Sequence, residues 1–304
     1  MSDTNDGSGV RWIEIAVPFA FLIVAGWLTW HLPAFTLDWF PPADQSSFDR
    51  LSAQYITNDV TPGLGGLFGG FADIIDWAAI VLLPVIGVIG VRTVRRAPME
   101  FESMGLGDRV SLFIGRVTMV MIASLTIVML YEVMLRYVFE KPTLWANELS
   151  LWLAGFVFLC AGIYAMQQRS HIRIFLLYDI CPRWLQHTFD CISTFLIVLF
   201  CFFLIYGGYG EAMAKLYRWE TFGTAFDPPL PATLKPAVLL VMILVAAQAI
   251  VNLISDWNLE PVIHTAADDI DQNELEHLKA IIGADDLSDL TPENSPNGDQ
   301  KGQN

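Results

Sequence analysis

Residues 131–184 read YEVMLRYVFEKPTLWANELSLWLAGFVFLCAGIYAMQQRSHIRIFLLYDICPRW. In the middle of this stretch, an apolar run extends from Leu149 to Met166 without a charged residue. A bilayer core about 30 Å thick is crossed by roughly 20 apolar residues of α-helix, so this run predicts a membrane-spanning helix. The polar and aromatic residues on either side of the run are then expected at the two membrane surfaces.

Five further apolar runs lie in the sequence before and after this one. Hydrophobic residues make up 54% of the 304-residue chain and charged residues only 16%, whereas about a quarter of a soluble protein is charged. The sequence therefore predicts an all-α integral membrane protein with six spans. The five other predicted spans are Ile15–Leu37, Trp77–Val91 with the flanking Ile74 and Ile75, Ser111–Tyr131, Cys191–Tyr206 and Pro236–Ile254.

The six runs divide the chain into three expected parts. Residues 1–110 form an N-terminal extension with two transmembrane helices and a long outer loop from Asp38 to Asp73. Residues 111–260 form a four-span domain, and residues 261–304 form an acidic, largely disordered tail with a short amphipathic helix near its start. The glycine-rich segment at 63–70, GLGGLFGG, lacks the Lys-Ser/Thr pair of a P-loop and predicts a flexible outer loop.

Lysine and arginine in short loops predict the orientation. The loop before the third run and the loop after the fourth are both rich in arginine, so the positive-inside rule makes them cytoplasmic. The N-terminus and the acidic C-terminal tail are then cytoplasmic as well. The first run is long and is not followed by a small-x-small cleavage site, so it is interpreted as a retained anchor. The arginines in question are Arg92, Arg95, Arg96, Arg109, Arg169, Arg173 and Arg183.

Several kinds of chemistry are disfavoured by the pattern. The formal net charge of −15 disfavours nucleic-acid binding, which needs a concentrated basic face. The four cysteines contain no CxxC pair, and His31, His171 and His187 do not occupy similar depths in two spans, as a membrane haem requires. No charged residue lies in the middle of a span, where a carrier places its binding groups. No catalytic residue, metal ligand or cofactor is therefore predicted, and the membrane part is interpreted as a scaffold.

The segment between the third and fourth runs mixes basic, aromatic and acidic side chains. Such a mixture suits a short helix that lies in the plane of the membrane interface. We interpret it as a docking element for a membrane partner, and an ordinary juxtamembrane linker is the alternative. Replacement of Trp145 and Glu148 by Ala is expected to weaken partner association more than membrane insertion. The residues concerned are Arg136, Tyr137, Phe139, Lys141, Pro142, Trp145 and Glu148.

Small residues recur along the fourth run at Ala154, Gly155, Ala161 and Gly162. Small side chains allow helices to approach closely in a membrane, so these positions predict a helix-packing face. Beyond the run, Arg169, His171 and Arg173 form a basic cytoplasmic rim, of which Arg169 and His171 are the candidate docking residues. The rim is interpreted as part of the docking surface, and positive-inside anchoring is the alternative.

The ordered combination resembles the small integral-membrane subunit of tripartite ATP-independent periplasmic (TRAP) transporters. That family has an Arg-Tyr-x-Phe segment, then Pro, Trp and an acidic pair, a span, and an Arg-x-His-Ile/Val turn. Asn147 stands where the family often has the first acidic residue, and the two N-terminal spans exceed its common four. The resemblance covers roughly Gly115 to Trp257, and the matching residues are Arg136, Tyr137, Phe139, Pro142, Trp145, Glu148, Arg169, His171 and Ile172.

The resemblance implies a multi-pass protein of a bacterial inner membrane that does not itself carry the solute. In such systems a periplasmic binding protein delivers an anionic solute to a large membrane subunit, which moves it with an ion gradient. The small subunit braces the large subunit and contributes to the docking surface. Two other functions remain open from the residues alone: a stand-alone membrane sensor or receptor, and an electron-transfer membrane anchor.

Overall fold

The computed structural model describes residues 12–97, 100, 105–168 and 181–257. The predicted acidic tail from residue 261 onward, with its expected short helix, lies outside these residues. The chain divides into two compact units, residues 1–173 with 184–259 and residues 174–183 with 260–304, and only the first is described at length. Its helices are α1 Trp12–Trp30, α2 Leu32–Trp39, α3 Gln45–Asn58, α4 Ile74–Thr93, α5 Leu106–Tyr137, α6 Ala146–Gln167, α7 Arg183–Tyr217 and α8 Leu230–Asp256.

Six of these helices, α1 and α4 to α8, are long and apolar enough to cross a membrane. The predicted all-α fold with six spans is thereby confirmed. Except for α1, the membrane helices are longer than their apolar runs, and the largest difference is in α7, which has 35 residues. About 20 residues are enough to cross the bilayer core, so the ends of α7 extend past it.

The first apolar run is not one helix, because it breaks at His31. The backbone of His31 has φ −92° and ψ 13°, and α2 begins at the next residue. Pro33 lies in the first turn of α2 and has no N–H to donate to the carbonyl four residues earlier, so the α1 helix cannot continue through it. The prediction of a single helix over Ile15–Leu37 was wrong in this respect.

The loop between Asp38 and Asp73 contains a helix that the sequence analysis missed. Asp44 caps α3 by accepting a hydrogen bond from the backbone N–H of Ser47 at 2.9 Å. Leu51 and Tyr55 are the buried residues of α3. They belong to a hydrophobic cluster that also includes Leu37 of α2, Leu216 of α7, Trp219 and Ala232 of α8.

The carboxylate of Asp38 holds the glycine-rich end of this loop in place by hydrogen bonds. Asp38 accepts hydrogen bonds from the backbone N–H groups of Phe71 at 2.8 Å and Ala72 at 3.0 Å. A Cβ atom on Gly70 would meet the carboxylate of Asp38, so the close approach needs glycine at this position. The segment at 63–70, predicted as a flexible loop, is instead folded against α2 and includes a turn of 3₁₀-helix at Leu67–Gly69.

Helix α5 joins the extension to the rest of the bundle. Its buried side chains Phe113, Val117 and Met121 form one cluster with residues of α1, α4 and α6. On α4, Gly90 lies so close to Phe113 that a Cβ atom would overlap the ring. The two N-terminal spans are therefore packed directly onto α5.

A buried polar network ties α5, α6 and α8 together near one end of the bundle. The amide of Gln248 accepts a hydrogen bond from the Ser111 hydroxyl at 2.7 Å and donates to Asp108 at 3.0 Å. Gln248 also donates to Asn252 at 2.8 Å, and Asn252 donates to the backbone carbonyl of Met166 at 2.7 Å. Each buried polar group thus has a partner, which removes the cost of burying it.

Candidate functional site

The segment that connects α5 to α6, residues 138–145, is here called the α5–α6 loop. It contains no helix, since α5 continues to Tyr137 and α6 begins at Ala146. The prediction of a short interfacial helix in this segment was wrong. Glu140 has φ +53°, in the left-handed region, and Pro142 follows two residues later, so both residues favour a turn over a helix.

Glu132 fixes the shape of this loop from within α5. Its side chain is buried and accepts a hydrogen bond from Arg136 Nη2 at 2.6 Å. The other carboxylate oxygen accepts hydrogen bonds from the backbone N–H of Thr143 at 3.0 Å and from the Thr143 hydroxyl. Charge-assisted hydrogen bonds of this kind are about twice as strong as neutral ones, so the loop is held in one conformation.

Glu148 makes a second connection of the same type, at the start of α6. Its carboxylate accepts hydrogen bonds from the backbone N–H groups of Phe226 at 3.1 Å and Asp227 at 3.0 Å. One turn later, Trp152 Nε1 donates to the Thr233 hydroxyl at 2.9 Å. These contacts attach the loop between α7 and α8 to α6, so Glu148 acts within this chain.

The other predicted docking residues, which are Tyr137 at the end of α5 and three residues of the loop, have exposed side chains. Tyr137 is 75% exposed and Phe139 is 60% exposed. Trp145 is partly exposed, and its ring centroid lies 6.1 Å from that of Tyr131. Pro142 is exposed as well. The segment therefore combines a fixed backbone with an outward-facing group of aromatic side chains, extended by Val138 and Leu144.

The small residues of α6 differ in what they face. A Cβ atom on Gly155 would lie 2.6 Å from a methyl carbon of Leu234 on α8, so α8 occupies that position. Gly162 is exposed, and a Cβ atom added to it would meet no described residue of another helix within 4 Å. Ala154 and Ala161 are half-buried. Among the residues that the structure describes, the small-residue face is thus covered at Gly155 and open at Gly162.

The two basic residues predicted after α6, Arg169 and His171, lie outside the described residues. Glu132 and Thr143 are the residues that the sequence analysis did not select for the site. The spacing of Glu132 and Arg136, four residues apart on one helix, is a signal for an ion pair that could have identified the first of them. The contact with Thr143 has no such local signal.

Two histidines elsewhere in the bundle make contacts within the chain. His31 is buried, and its Nδ1 atom lies 3.2 Å from the carbonyl oxygen of Trp27. His187 stacks on Trp257 with ring centroids 4.5 Å apart. Among the residues that the structure describes, no three His, Cys, Asp or Glu side chains are grouped so that they could hold a metal ion.

Residues 125–258 match the family model described as tripartite ATP-independent periplasmic transporters, DctQ component. This part of the chain belongs to the DctQ family. The match begins in α5, ends just after α8 and contains both Glu132 and Glu148. No curated protein and no solved structure gives a significant match to the chain.

The family assignment confirms the resemblance seen in residues 131–184. Residues 125–258 are those of a small membrane subunit of the TRAP transporter type, and the six long apolar helices belong to a multi-pass protein of the inner membrane. Helices α1 to α4 precede the matched DctQ region and form the N-terminal extension. Since α1 and α4 pack on α5, the extension is attached to the same bundle as the DctQ region.

Proposed function

We propose that this chain is a non-enzymatic subunit that braces the large transport subunit of a TRAP-type importer and helps to dock the periplasmic binding protein. The observation that carries the proposal is the α5–α6 loop, which is fixed by Glu132 and exposes Phe139 close to the exposed Tyr137 at the end of α5. Exposed apolar groups on a rigid support are typical of a protein interface, because little ordering entropy is lost on binding. The large membrane subunit is the partner proposed for this surface.

The predicted docking residues then have two roles. Tyr137, Phe139, Pro142 and Trp145 contact the partner, whereas Arg136 and Glu148 position the loops that present them. Arg169 and His171 stay in the proposal on the strength of the family motif. In the same proposal, Gly162 and Ala161 receive a helix of the large subunit, while Gly155 and Ala154 pack against α8.

The arginine-rich loops support an orientation with both termini in the cytoplasm, so that the α5–α6 loop faces the periplasm. Helix α3 lies at the same end of the bundle, since Leu51 and Tyr55 share a cluster with Trp219. Between α3 and the α7–α8 loop there is a cleft of about 560 Å³, lined in part by Trp30, Asn58 and Phe226. We propose this end as the surface that the periplasmic binding protein approaches.

The division into an extension at 1–110, a TRAP small-subunit domain at 111–260 and an acidic cytoplasmic tail at 261–304 is part of this proposal. The family match at 125–258 begins within the third span and ends just before residue 260, so it falls inside the proposed small-subunit domain. The packing of Phe113 against the extension indicates that the two parts fold together.

The test is a pull-down of the tagged chain from its native membrane in a mild detergent. We expect the double substitution Tyr137→Ala/Phe139→Ala to reduce the amount of co-purified large subunit several-fold, while the amount of this chain in the membrane is unchanged. The matched control is Tyr206→Ala/Phe203→Ala on α7, where the side chains are 78% and 61% exposed. If only the α7 variant loses the large subunit, the interface lies on α7 and the proposed role of the loop is wrong.

A further inference from the structure

A cleft of about 490 Å³ lies between the start of α1, the end of α4 and the first half of α5. Its lining combines apolar side chains with three arginines. The apolar part includes Ile13, Ile15 and Met119, and the basic part comprises Arg95, Arg96 and Arg116. Neither the family assignment nor the proposed docking function uses this cleft, which lies at the other end of α5 from the α5–α6 loop.

The apolar wall faces the surroundings of the bundle rather than its core. Ile13 and Ile15 on α1 and Met119 on α5 are each nearly half exposed. On a helix that crosses a membrane, such side chains contact lipid tails. Gly90 and Phe113 lie deeper in the cleft, where their close packing brings α4 against α5.

The arginines differ in how far their charge is already neutralised. Arg116 Nη2 donates to Glu100 at 2.8 Å and to the carbonyl of Arg95 at 3.1 Å. Glu100 is held further by the Tyr164 hydroxyl at 2.9 Å. Arg95 is 60% exposed, and its Nε atom lies 3.7 Å from a carboxylate oxygen of Glu14. An exposed ion pair at that distance contributes little, so the Arg95 guanidinium retains its capacity to bind an anion.

We propose that this cleft binds the headgroup of an anionic phospholipid. The guanidinium of Arg95, with Arg96 beside it, binds the phosphate, and an acyl chain lies along Ile13, Ile15 and Met119. Arginine recognises phosphate through parallel hydrogen bonds, and basic pockets between transmembrane helices bind acidic headgroups. The volume falls within the range of roughly 300–1,000 Å³ found for small-molecule sites.

The combination of charge and apolar wall favours a lipid over a free anion. A soluble phosphate would use the arginines but would leave the apolar wall without a partner. The cleft is built from both parts of the chain, because α1 and α4 belong to the extension and α5 leads into the DctQ region. A lipid in this position therefore fastens the extension to the rest of the subunit.

The experiment measures lipid binding to the full-length purified chain in a neutral detergent. Dioleoylphosphatidylglycerol is titrated, bound lipid is counted by native mass spectrometry, and the thermal unfolding midpoint is recorded. We expect Arg95→Gln/Arg96→Gln to weaken binding at least about tenfold, as loss of a charged hydrogen bond does. The matched control Arg92→Gln/Arg109→Gln removes the same charge from the same region but from residues that do not line the cleft, and is expected to bind as the parent does.

Arg96 also donates a hydrogen bond to the backbone carbonyl of Glu100 at 3.0 Å, so its replacement could disturb the fold. The single variant Arg95→Gln is therefore measured as well. We expect it to show most of the loss of lipid binding, with an unchanged unfolding midpoint in the absence of lipid. Dioleoylphosphatidylcholine and inorganic phosphate are the comparison ligands, and we expect neither to raise the midpoint. Three results would each overturn the proposal. They are a loss of lipid binding in Arg92→Gln/Arg109→Gln as large as in Arg95→Gln/Arg96→Gln, binding of the choline lipid as strong as that of the glycerol lipid, and stabilisation by inorganic phosphate as large as that by the glycerol lipid.

Discussion

Glu132 and Thr143 are joined by two hydrogen bonds although they belong to different segments, one in α5 and one in the loop that follows it. The carboxylate takes both the backbone N–H and the hydroxyl of Thr143, and its other oxygen binds Arg136. A single buried carboxylate thus sets the path of the chain between two membrane helices. The exposed aromatic side chains of the loop depend on this arrangement for their positions.

The first prediction concerns this contact. Thr143→Val removes the hydroxyl donor but keeps the backbone N–H, so the loop loses one of its charge-assisted hydrogen bonds. We expect a decrease in the unfolding midpoint of roughly 2–4 °C and a several-fold smaller amount of co-purified large subunit. Thr126→Val is the control, because its hydroxyl bonds only to the carbonyl of Ile122 within α5. Equal recovery of the partner by Thr143→Val and the parent would contradict the positioning role.

The second prediction concerns the closest helix contact of the extension. In Gly90→Ala, the added methyl group would overlap the ring of Phe113, and overpacking of this kind costs about 1–3 kcal/mol. Gly87→Ala lies one turn earlier on α4 and would meet Phe21 at an ordinary 3.6 Å. We therefore expect a lower unfolding midpoint for Gly90→Ala and little change for Gly87→Ala. Thermal unfolding in detergent, followed by loss of soluble protein, measures both.

The third prediction concerns the buried polar network of α5 and α8. Gln248→Leu leaves Asp108 and Asn252 without the amide that donates to them. A buried polar group left unpaired costs about 1–3 kcal/mol, so the variant is expected to unfold at a clearly lower temperature. Ile254→Ala on the same helix is the control, since Ile254 is 70% exposed. A midpoint for Gln248→Leu equal to that of the control would show that the network adds no stability.

The fourth prediction concerns pH and the carboxylate that caps α4. Burial raises the pKa of Asp73, but hydrogen bonds from the Thr61 hydroxyl and from the backbone N–H groups of Asp76 and Ile75 outweigh it, so the pKa lies below its usual range. A group whose pKa is lowered by folding stabilises the protein above its unfolded pKa, about 3.9 for Asp, and loses that contribution as the pH falls. We expect the unfolding midpoint to fall as the pH drops below about 4.

Asp73→Asn isolates this effect, because asparagine is an equally good helix cap but carries no charge. The variant lacks the stability that the ionised carboxylate contributes, so it is expected to have a lower midpoint than the parent near neutral pH and a shallower loss of stability over the acidic range, where the two midpoints converge. Asp49→Asn on α3 removes an exposed carboxylate and should leave the slope unchanged. Identical pH profiles for Asp73→Asn and the parent would exclude Asp73 as a source of the pH dependence.

The six spans and the family could both be predicted from the sequence. Each span is a long and mostly apolar run in the sequence, and the free energy of placing a helix in lipid depends largely on its composition and length. The family was recognisable because its motif lies within one continuous stretch, from Arg136 to Ile172. The acidic cap Asp44 and the apolar spacing of Phe48, Leu51 and Tyr55 were also available as local signals for α3.

The division of the docking residues could not be predicted in this way. Nothing in the sequence separates the residues that act inside the chain from those that are exposed. Arg136 and Glu148 hold loops of this chain in place, whereas Tyr137 and Phe139 are exposed. Glu148 is assigned by the N–H groups of Phe226 and Asp227, which lie 78 and 79 residues away. Only the packing of α6 beside α8 brings those groups within reach.

By itself, then, the sequence determined the number of membrane helices, their approximate bounds and the kind of transporter subunit to which the chain belongs, because these properties follow from local composition and a contiguous motif. The tertiary structure decided that Glu148 of α6 binds the loop between α7 and α8, and that Arg95, just after α4, lies beside apolar side chains of α1 and α5. Those features arise from side chains far apart in the sequence, and hydrogen bonds and packing between them form only once the helices are assembled.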